Sequence, residues 1–281
     1  MPIVVEHLSH AYSNAGVLSM PALQDVSLTI REREFLCIIG HTGSGKTTFV
    51  QHLNGLLLPT SGTVTVDGLS MGDKKLRRQI RSLVGMVFQY PEYQLFAETV
   101  REDVGFGPKN MGLDVGEIDR RVRSAMELVG LPYDLFSEKS PFELSGGEKR
   151  RAALAGIVAM EPRYIVLDEP MAGLDPQGRK EILAMLESLR KRTGCGIIMV
   201  SHSMDDVAAH AERVLVLHKG QVAFLDTPDK VFAHGEELRT MGLSLPEASK
   251  LSILLRQRGV QVPEGLYTMD KMQQWLLEVL A

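Results

Sequence analysis

The sequence predicts an α/β fold with a helical insertion. Three observations predict it. Short apolar runs rich in β-branched residues recur at Phe35 to Ile39, Val84 to Phe88, Tyr164 to Leu167 and Gly196 to Ser201. The first of them leads through a glycine-rich loop, Gly40-His41-Thr42-Gly43-Ser44-Gly45-Lys46-Thr47, into a helical run from Thr47 to Leu57. Between the second and third, roughly 89–150 carries helical periodicity, as if inserted between strands of the core.

The elements follow in order. Ile3 to His7 and Val26 to Ile30 read as strands, the second by alternation at Val26, Leu28 and Ile30, and supply an N-terminal antiparallel β part. The helix after the loop stops at Asn54-Gly55. Gly62 to Val66 alternates apolar and polar residues and turns at Asp67-Gly68. Ile118 to Val129 is amphipathic, with Ile118, Val122, Ala125 and Val129 on one face. An alanine-rich helix runs to Met160, and Pro176 opens another, at a first helical position where proline is well placed. Val214 to Leu217 and Val222 to Leu225 flank Lys219-Gly220 as a hairpin. Pro246 to Arg258 and Thr268 to Leu280 read as two amphipathic helices, the last with a stripe of Met272, Trp275, Leu276 and Val279. The expected organisation is a nucleotide-binding domain over 1–232, with 89–150 as its helical subdomain, and a short helical tail over 235–281.

Composition bounds the function. The 281 residues are 44% apolar, enough to bury a core, and the net charge is −4 from 31 Lys+Arg against 35 Asp+Glu. A nucleic-acid binder would normally carry a basic excess. Two cysteines, Cys37 and Cys195, make no disulfide framework, and Cys37 reads as a small buried hydrophobe. No run of about 18 apolar residues is present to span a membrane, and residues 1–10 do not read as a signal peptide. The expected location is the cytosol.

The glycine loop fits G-x-x-x-x-G-K-[ST]. Gly40, Gly43 and Gly45 permit turns that a Cβ would forbid, so loop N–H groups converge on one anion at the positive end of a helix. Lys46 can reach the β- and γ-phosphates of a nucleotide, and Thr47 can place its hydroxyl on Mg²⁺. Thr48 completes the expected binding set. Asp168 and Glu169 end a buried strand. Mg²⁺ takes oxygen ligands, so Asp168 suits it; Glu169, pointing the other way, can polarise an attacking water as general base. Taken alone, the pair reads first as a solvated strand end; downstream of a phosphate loop the functional reading wins. Ser145-Gly146-Gly147-Glu148 opens a helix and makes a second anion site by the same amide and dipole argument. One γ-phosphate needs only one such loop plus a metal, so two chains facing each other explain the second most economically. Tyr12 is either a core aromatic or a stacking platform for adenine.

The order Gly40–Thr47, Gln89, Leu144–Glu148, Ile165–Glu169, Ala172-Gly173-Leu174-Asp175 and His202 resembles the ATP-binding-cassette ATPases, over about residues 1–232. The resemblance implies a P-loop NTPase core of RecA-like type. It implies that Gln89 links Mg²⁺ and the attacking water to a membrane partner, that His202 contacts the γ-phosphate, that Asp175 lies on the loop communicating across the dimer, and that Tyr12 stacks on adenine. Gln51-His52-Leu53-Asn54-Gly55-Leu56, Phe88 to Phe96, Phe106 to Asn110 and Pro141 to Gly147 narrow the likeness to the second ATPase of energy-coupling factor transporters. That family implies a peripheral subunit on the cytoplasmic face of the cell membrane. Its partners would be a second ATPase (a paralogue or a copy), a transmembrane T component and a substrate-binding S component, together importing vitamins or transition-metal ions. Met171 departs from the usual Thr, and Glu148 from the commoner Gln.

Two other readings compete. A soluble cassette ATPase acting on nucleic acid or the ribosome would carry a long coiled coil or two cassettes, and neither is here. A P-loop kinase or GTPase has no reason to carry the Ser145 helix start. Lys149-Arg150-Arg151 reads as a solvated helix face. The stretch Gln89 to Val100, with Tyr90, Tyr93, Leu95 and Phe96 beside Glu92 and Glu98, is expected to line a groove for a helix of the T component.

Overall fold

The structure, a computed structural model, describes residues 2–12 and 21–280. Residues 1 and 281, the outer ends of the expected domain and tail, lie outside them. Strands β1 (Ile3–Ala11) and β2 (Pro21–Ile30) pair antiparallel. β3 (Phe35–Ile39) is fully buried and feeds α1 (Lys46–Asn54), which ends on left-handed Gly55. The φ of +75° at Gly55 favours glycine, and a Cβ there would also crowd the Met71 side chain. β4 (Ser61–Val66) pairs antiparallel with β1 and with the short β5 (Leu69–Ser70). The expected antiparallel part is thus a four-stranded sheet in the order β2-β1-β4-β5.

Helix α2 (Arg77–Leu83) leads into β6 (Val84–Val87). The helical insertion follows as α3 (Val100–Met111), α4 (Val115–Leu128), the single turn α5 (Tyr133–Phe136) and the start of α6 (Gly146–Val158). Thr99 and Asp114 cap α3 and α4 with side-chain oxygens. Val122, Ala125 and Val129 are buried, with Ile118 packed against them, so the inward face of α4 is the one its periodicity predicts. The chain returns to the core through β7 (Tyr164–Asp168), α7 (Pro176–Thr193), β8 (Gly196–Val200), α8 (Met204–His210) and the hairpin β9 (Arg213–His218) and β10 (Gln221–Asp226). Two short helices, α9 (Pro228–Ala233) and α10 (Gly235–Thr240), precede the tail helices α11 (Glu247–Gln257) and α12 (Met269–Leu280).

The second sheet has six strands in the order β10-β9-β3-β8-β7-β6, parallel except for β10. Both its faces are covered, which is why its strands read as continuous apolar runs. β3 shows the division. Phe35, Cys37 and Ile39 join the core beneath the helical insertion, and Leu36 and Ile38 join the core shared with the antiparallel sheet. Burial pushes the Cys37 thiol well above its usual range, as suits an inert core residue.

One expectation fails here. Arg150 is not solvated. It is buried, pairs with Glu92 at 3.1 Å and donates to the carbonyls of Pro170 and Ala172. α6 turns its 150 position inward, against the turn at Pro91–Gln94 and the segment after β7, and Arg151 beside it is half-buried, donating to the Val129 carbonyl and pairing with Glu181.

Candidate active site

The phosphate loop bridges β3 and α1. A Cβ at Gly40 would lie 2.3 Å from Ser44 Oγ and 2.4 Å from the Leu217 carbonyl. At Gly45, φ is +100°, and a Cβ would lie 2.5 Å from the Ala22 carbonyl. Both glycines are therefore demanded by the packing of β2 and β9 against the loop. The β9–β10 turn braces it further: Gly220 N–H donates to the Ser44 carbonyl at 3.1 Å, and Gln24 N–H donates to the Gly220 carbonyl at 2.8 Å. Lys46 Nζ donates to the carbonyls of Gly40 (2.8 Å) and His41 (3.1 Å), which holds the ammonium across the loop. Burial lowers its pKa, and the carboxylates of Glu169 and Asp168 work against that. Ser44 Oγ is buried with no partner among the described residues. Thr42 and Gly43 are exposed at the loop tip, and a Cβ at Gly43 would meet open space.

The carboxylates come from the ends of neighbouring strands. Asp168, the last residue of β7, is buried; burial raises its pKa, and a hydrogen bond with the Thr47 hydroxyl opposes the rise. Its Oδ1 has no partner among the described residues. A buried carboxylate oxygen beside a hydroxyl, without a protein donor, is the oxygen pair a hard divalent cation takes.

Glu169 leaves the strand in a left-handed conformation, φ +52°, with its N–H donating to the Val200 carbonyl. For a non-glycine residue that backbone is uncommon and costly, and such residues gather at functional sites. The turn frees its carboxylate from the sheet. One oxygen accepts from Gln89 Nε2 at 3.1 Å, and the other lies 2.7 Å from His202 Nε2. A carboxylate only accepts, so that His202 nitrogen carries the proton. Gln89, Glu169 and His202, remote in sequence, thus converge at the ends of β6, β7 and β8. Ligands of open parallel sheets bind at that carboxyl end.

Tyr12 lies outside the core, 48% exposed, and its hydroxyl is 3.1 Å from Thr48 Oγ1. That contact ties the end of β1 to the first turn of α1 and stands the ring beside the phosphate loop. Ser145, Gly146 and Gly147 are exposed at the start of α6. A reciprocal capping box fixes that start, Ser145 N–H donating to the Glu148 carboxylate and Glu148 N–H to Ser145 Oγ. The Ser145 bonds hold the Glu148 carboxyl below its usual pKa.

Sequence reasoning missed Arg150, whose grip on Pro170 and Ala172 flanks Glu169. The available signal was its position, one turn beyond the capped start of the alanine-rich helix and on the face shared with Ala153 and Leu154, both buried.

Comparison with known proteins shows the family. The family model described as "ABC transporter" matches residues 23–172. The chain is 54% identical to the energy-coupling factor transporter ATP-binding protein EcfA2 of Symbiobacterium thermophilum, over 100% of this chain and 97% of that protein. It is 48% identical to EcfA2 of Clostridium perfringens, over 100% and 99%. Among solved structures, cbiO1 from Clostridium perfringens, part of the ABC transporter complex cbiONQ, superposes with a TM-score of 0.76 at 36% identity, covering 90% of this chain and 98% of that one. A dimeric ATP-binding cassette, MJ0796, bound to ADP and Pi, gives 0.71 at 27% identity, covering 80% and 98%. The chain belongs to the ABC transporter family and, within it, to the energy-coupling factor transporter ATP-binding proteins, ATPases whose hydrolysis is coupled to transport.

Proposed function

We propose that Glu169 is the general base of ATP hydrolysis in this chain. The observation that carries the reading is the bracketing of one carboxylate by Gln89 and His202, beside the buried Asp168 and the phosphate loop. The loop from Gly40 through Thr48 and the Lys46 ammonium bind the phosphates, and Tyr12 stacks on adenine. Thr47, Asp168 and Gln89 would hold Mg²⁺, which supplies positive charge against the phosphates when bound. Glu169 takes a proton from the attacking water, and His202 holds the carboxylate and contacts the γ-phosphate. Gln89 donates through its amide nitrogen and keeps its carbonyl oxygen for the metal or water. Ser145, Gly146, Gly147 and Glu148 close the site of a second cassette.

The proposal extends to the assembly. The chain pairs with a second ATPase, a paralogue or a copy, on a transmembrane T component that works with a substrate-binding S component importing vitamins or transition-metal ions. No described helix is long and apolar enough to cross a membrane, which fits a subunit held on the cytoplasmic face by partners. Residues 1–232 form the nucleotide-binding domain, 89–150 its helical subdomain and 235–281 a tail that holds the two ATPases together. Exposed Leu254, Leu277 and Val279 on the tail helices support that last role. The groove beside the aromatic stretch, lined by Leu95, Phe96, Phe106, Met111 and Met160, receives a helix of the T component.

The test is Glu169→Gln. ATP affinity should hold, and hydrolysis should fall roughly 10²- to 10⁴-fold, the range of a lost general base. Single-turnover kinetics at this chain's own site separate it from a partner's site. Hydrolysis at the parent rate would remove Glu169 from the role.

A further inference from the structure

A cavity of about 380 Å³ separates Glu169 and His202 from the start of the tail. Glu169, His202 and Asp205 line one side, and Ser244, Leu245 and Lys250 the other. A hydrogen bond joins the two sides. The backbone N–H of Glu247, the first residue of α11, donates to Asp205 Oδ1 at 2.9 Å.

Asp205 is three residues beyond His202, in the first turn of α8. The connection between them is stiff. Ser203 N–H donates to Ser201 Oγ at 3.1 Å, and Asp206 N–H donates to Ser203 Oγ at 3.3 Å. A shift of α8 is therefore passed to His202, whose Nε2 holds the Glu169 carboxylate. The tail end of the contact is equally fixed, because Leu243, Leu245 and Ala248 are buried in the core. Farther along, Leu254 and Leu277 are exposed. The tail is anchored beside the catalytic histidine and open at its far end.

We infer that Asp205 is a positioning residue: its hydrogen bond to the first N–H of the tail helix sets the place of His202 against Glu169, so that tail placement tunes the hydrolytic step. The inference rests on the proposed role of Glu169. Asp205 touches no reacting atom, and ATP binding at the phosphate loop is independent of it.

Four substitutions isolate the bond. Asp205→Ala removes the acceptor, and Asp205→Asn keeps one. Glu247→Pro removes the donor together with the side chain and leaves the helix start in place, because proline is tolerated at the first position of a helix and Pro246 before it is already extended (ψ 147°). Glu247→Ala keeps the N–H and discards the side chain that pairs with Lys250. Steady-state ATP hydrolysis is measured on the full chain in its native membrane assembly, with Glu169→Gln alongside. Asp205→Ala and Glu247→Pro should each lower kcat roughly threefold to tenfold, the size of one lost hydrogen bond, with KM for ATP unchanged. Asp205→Asn and Glu247→Ala should stay near the parent, and the Asp205→Ala/Glu247→Pro pair should lose no more than either alone. If Glu169→Gln abolishes hydrolysis while Asp205→Ala and Glu247→Pro keep the parent kcat, the inference is overturned and the site reading stands. Equal losses in Glu247→Ala and Glu247→Pro also overturn it. If Glu169→Gln hydrolyses at the parent rate, the site reading fails and this inference falls with it.

Discussion

Arg150 holds Glu92 at 3.1 Å from within the core, its side chain 5% exposed, and with its remaining donors grips the carbonyls of Pro170 and Ala172. One guanidinium thus ties the aromatic stretch after β6 to the segment that carries Glu169. Its planar array of donors suits this, where a lysine could not reach all three groups. The pairing also changes the expected coupling surface. Glu92 is consumed inside the chain, and only Glu98 of the two acids stands exposed.

Removing one partner of a buried pair leaves the other uncompensated. Arg150→Ala should therefore destabilise the chain by about 3–5 kcal/mol. Glu92→Gln keeps an acceptor and should cost less. Urea unfolding of the purified chain compares the two; equal and small losses would show that the pair is not structural.

Lys46→Ala removes the one ammonium that spans the loop. The loss of charge-assisted contacts to phosphate should weaken ATP binding by roughly 10- to 150-fold, from about 1.5–3 kcal/mol. Titration calorimetry reads it directly. Unchanged affinity would contradict the phosphate-loop role.

Asp168 gives a prediction of opposite sign for stability. Its folded pKa is raised by burial, so its ionised form is disfavoured in the native state. A raised carboxyl contributes stability that is present below the unfolded value, near 3.8, and lost as pH rises through the folded value. Asp168→Asn should therefore stabilise the chain at neutral pH while reducing hydrolysis. The gain should shrink as pH falls toward 3.8. Denaturation midpoints at several pH values test this. A neutral-pH loss of stability would mean that the Thr47 bond outweighs burial.

Much of this was legible in the sequence, for physical reasons. The strand–loop–helix around Lys46 depends on local conformational rules, which glycine spacing exposes. β7 and β8 were legible because a sheet covered on both faces writes itself as unbroken apolar runs. The antiparallel strand β1 reaches Ala11, beyond its expected end at His7, because its irregular pairing with β2 interrupts the alternation. The convergence of Gln89, Glu169 and His202 was not readable from spacing, since strand order in the sheet brings them together. The family likeness supplied that expectation. Arg150 and Asp205 were hidden for another reason: their partners, Glu92 and the Glu247 amide, are set by tertiary packing that no local pattern announces.

The last prediction concerns the groove proposed for the T component. Its volume is about 500 Å³, and Phe96 and Phe106 meet edge to face at its mouth, their ring centroids 4.9 Å apart. Both rings are exposed, at 59% and 47%. Two exposed phenylalanines packed on each other beside Met111 and Met160 make an apolar anchor site of the kind that helix-in-groove recognition uses. The charges lining the groove are Arg78, Arg81 and Asp103, and Asp103 is occupied by the N–H groups of Phe96 and Ala97. Glu98, outside the groove's lining, is an exposed acid nearby in sequence, so a basic group on the incoming helix would pair there. Phe96→Ala with Phe106→Ala should leave the fold and ATP binding intact, because neither ring is in the core. Assembly with the membrane partner should fall by roughly 2 kcal/mol or more, the loss typical of buried aromatic anchors. Glu98→Lys should weaken assembly further at low salt and lose that effect at high salt. Copurification from membranes, with ATP affinity measured in parallel, reads both. Normal assembly of the double alanine variant would move the coupling contact away from this groove.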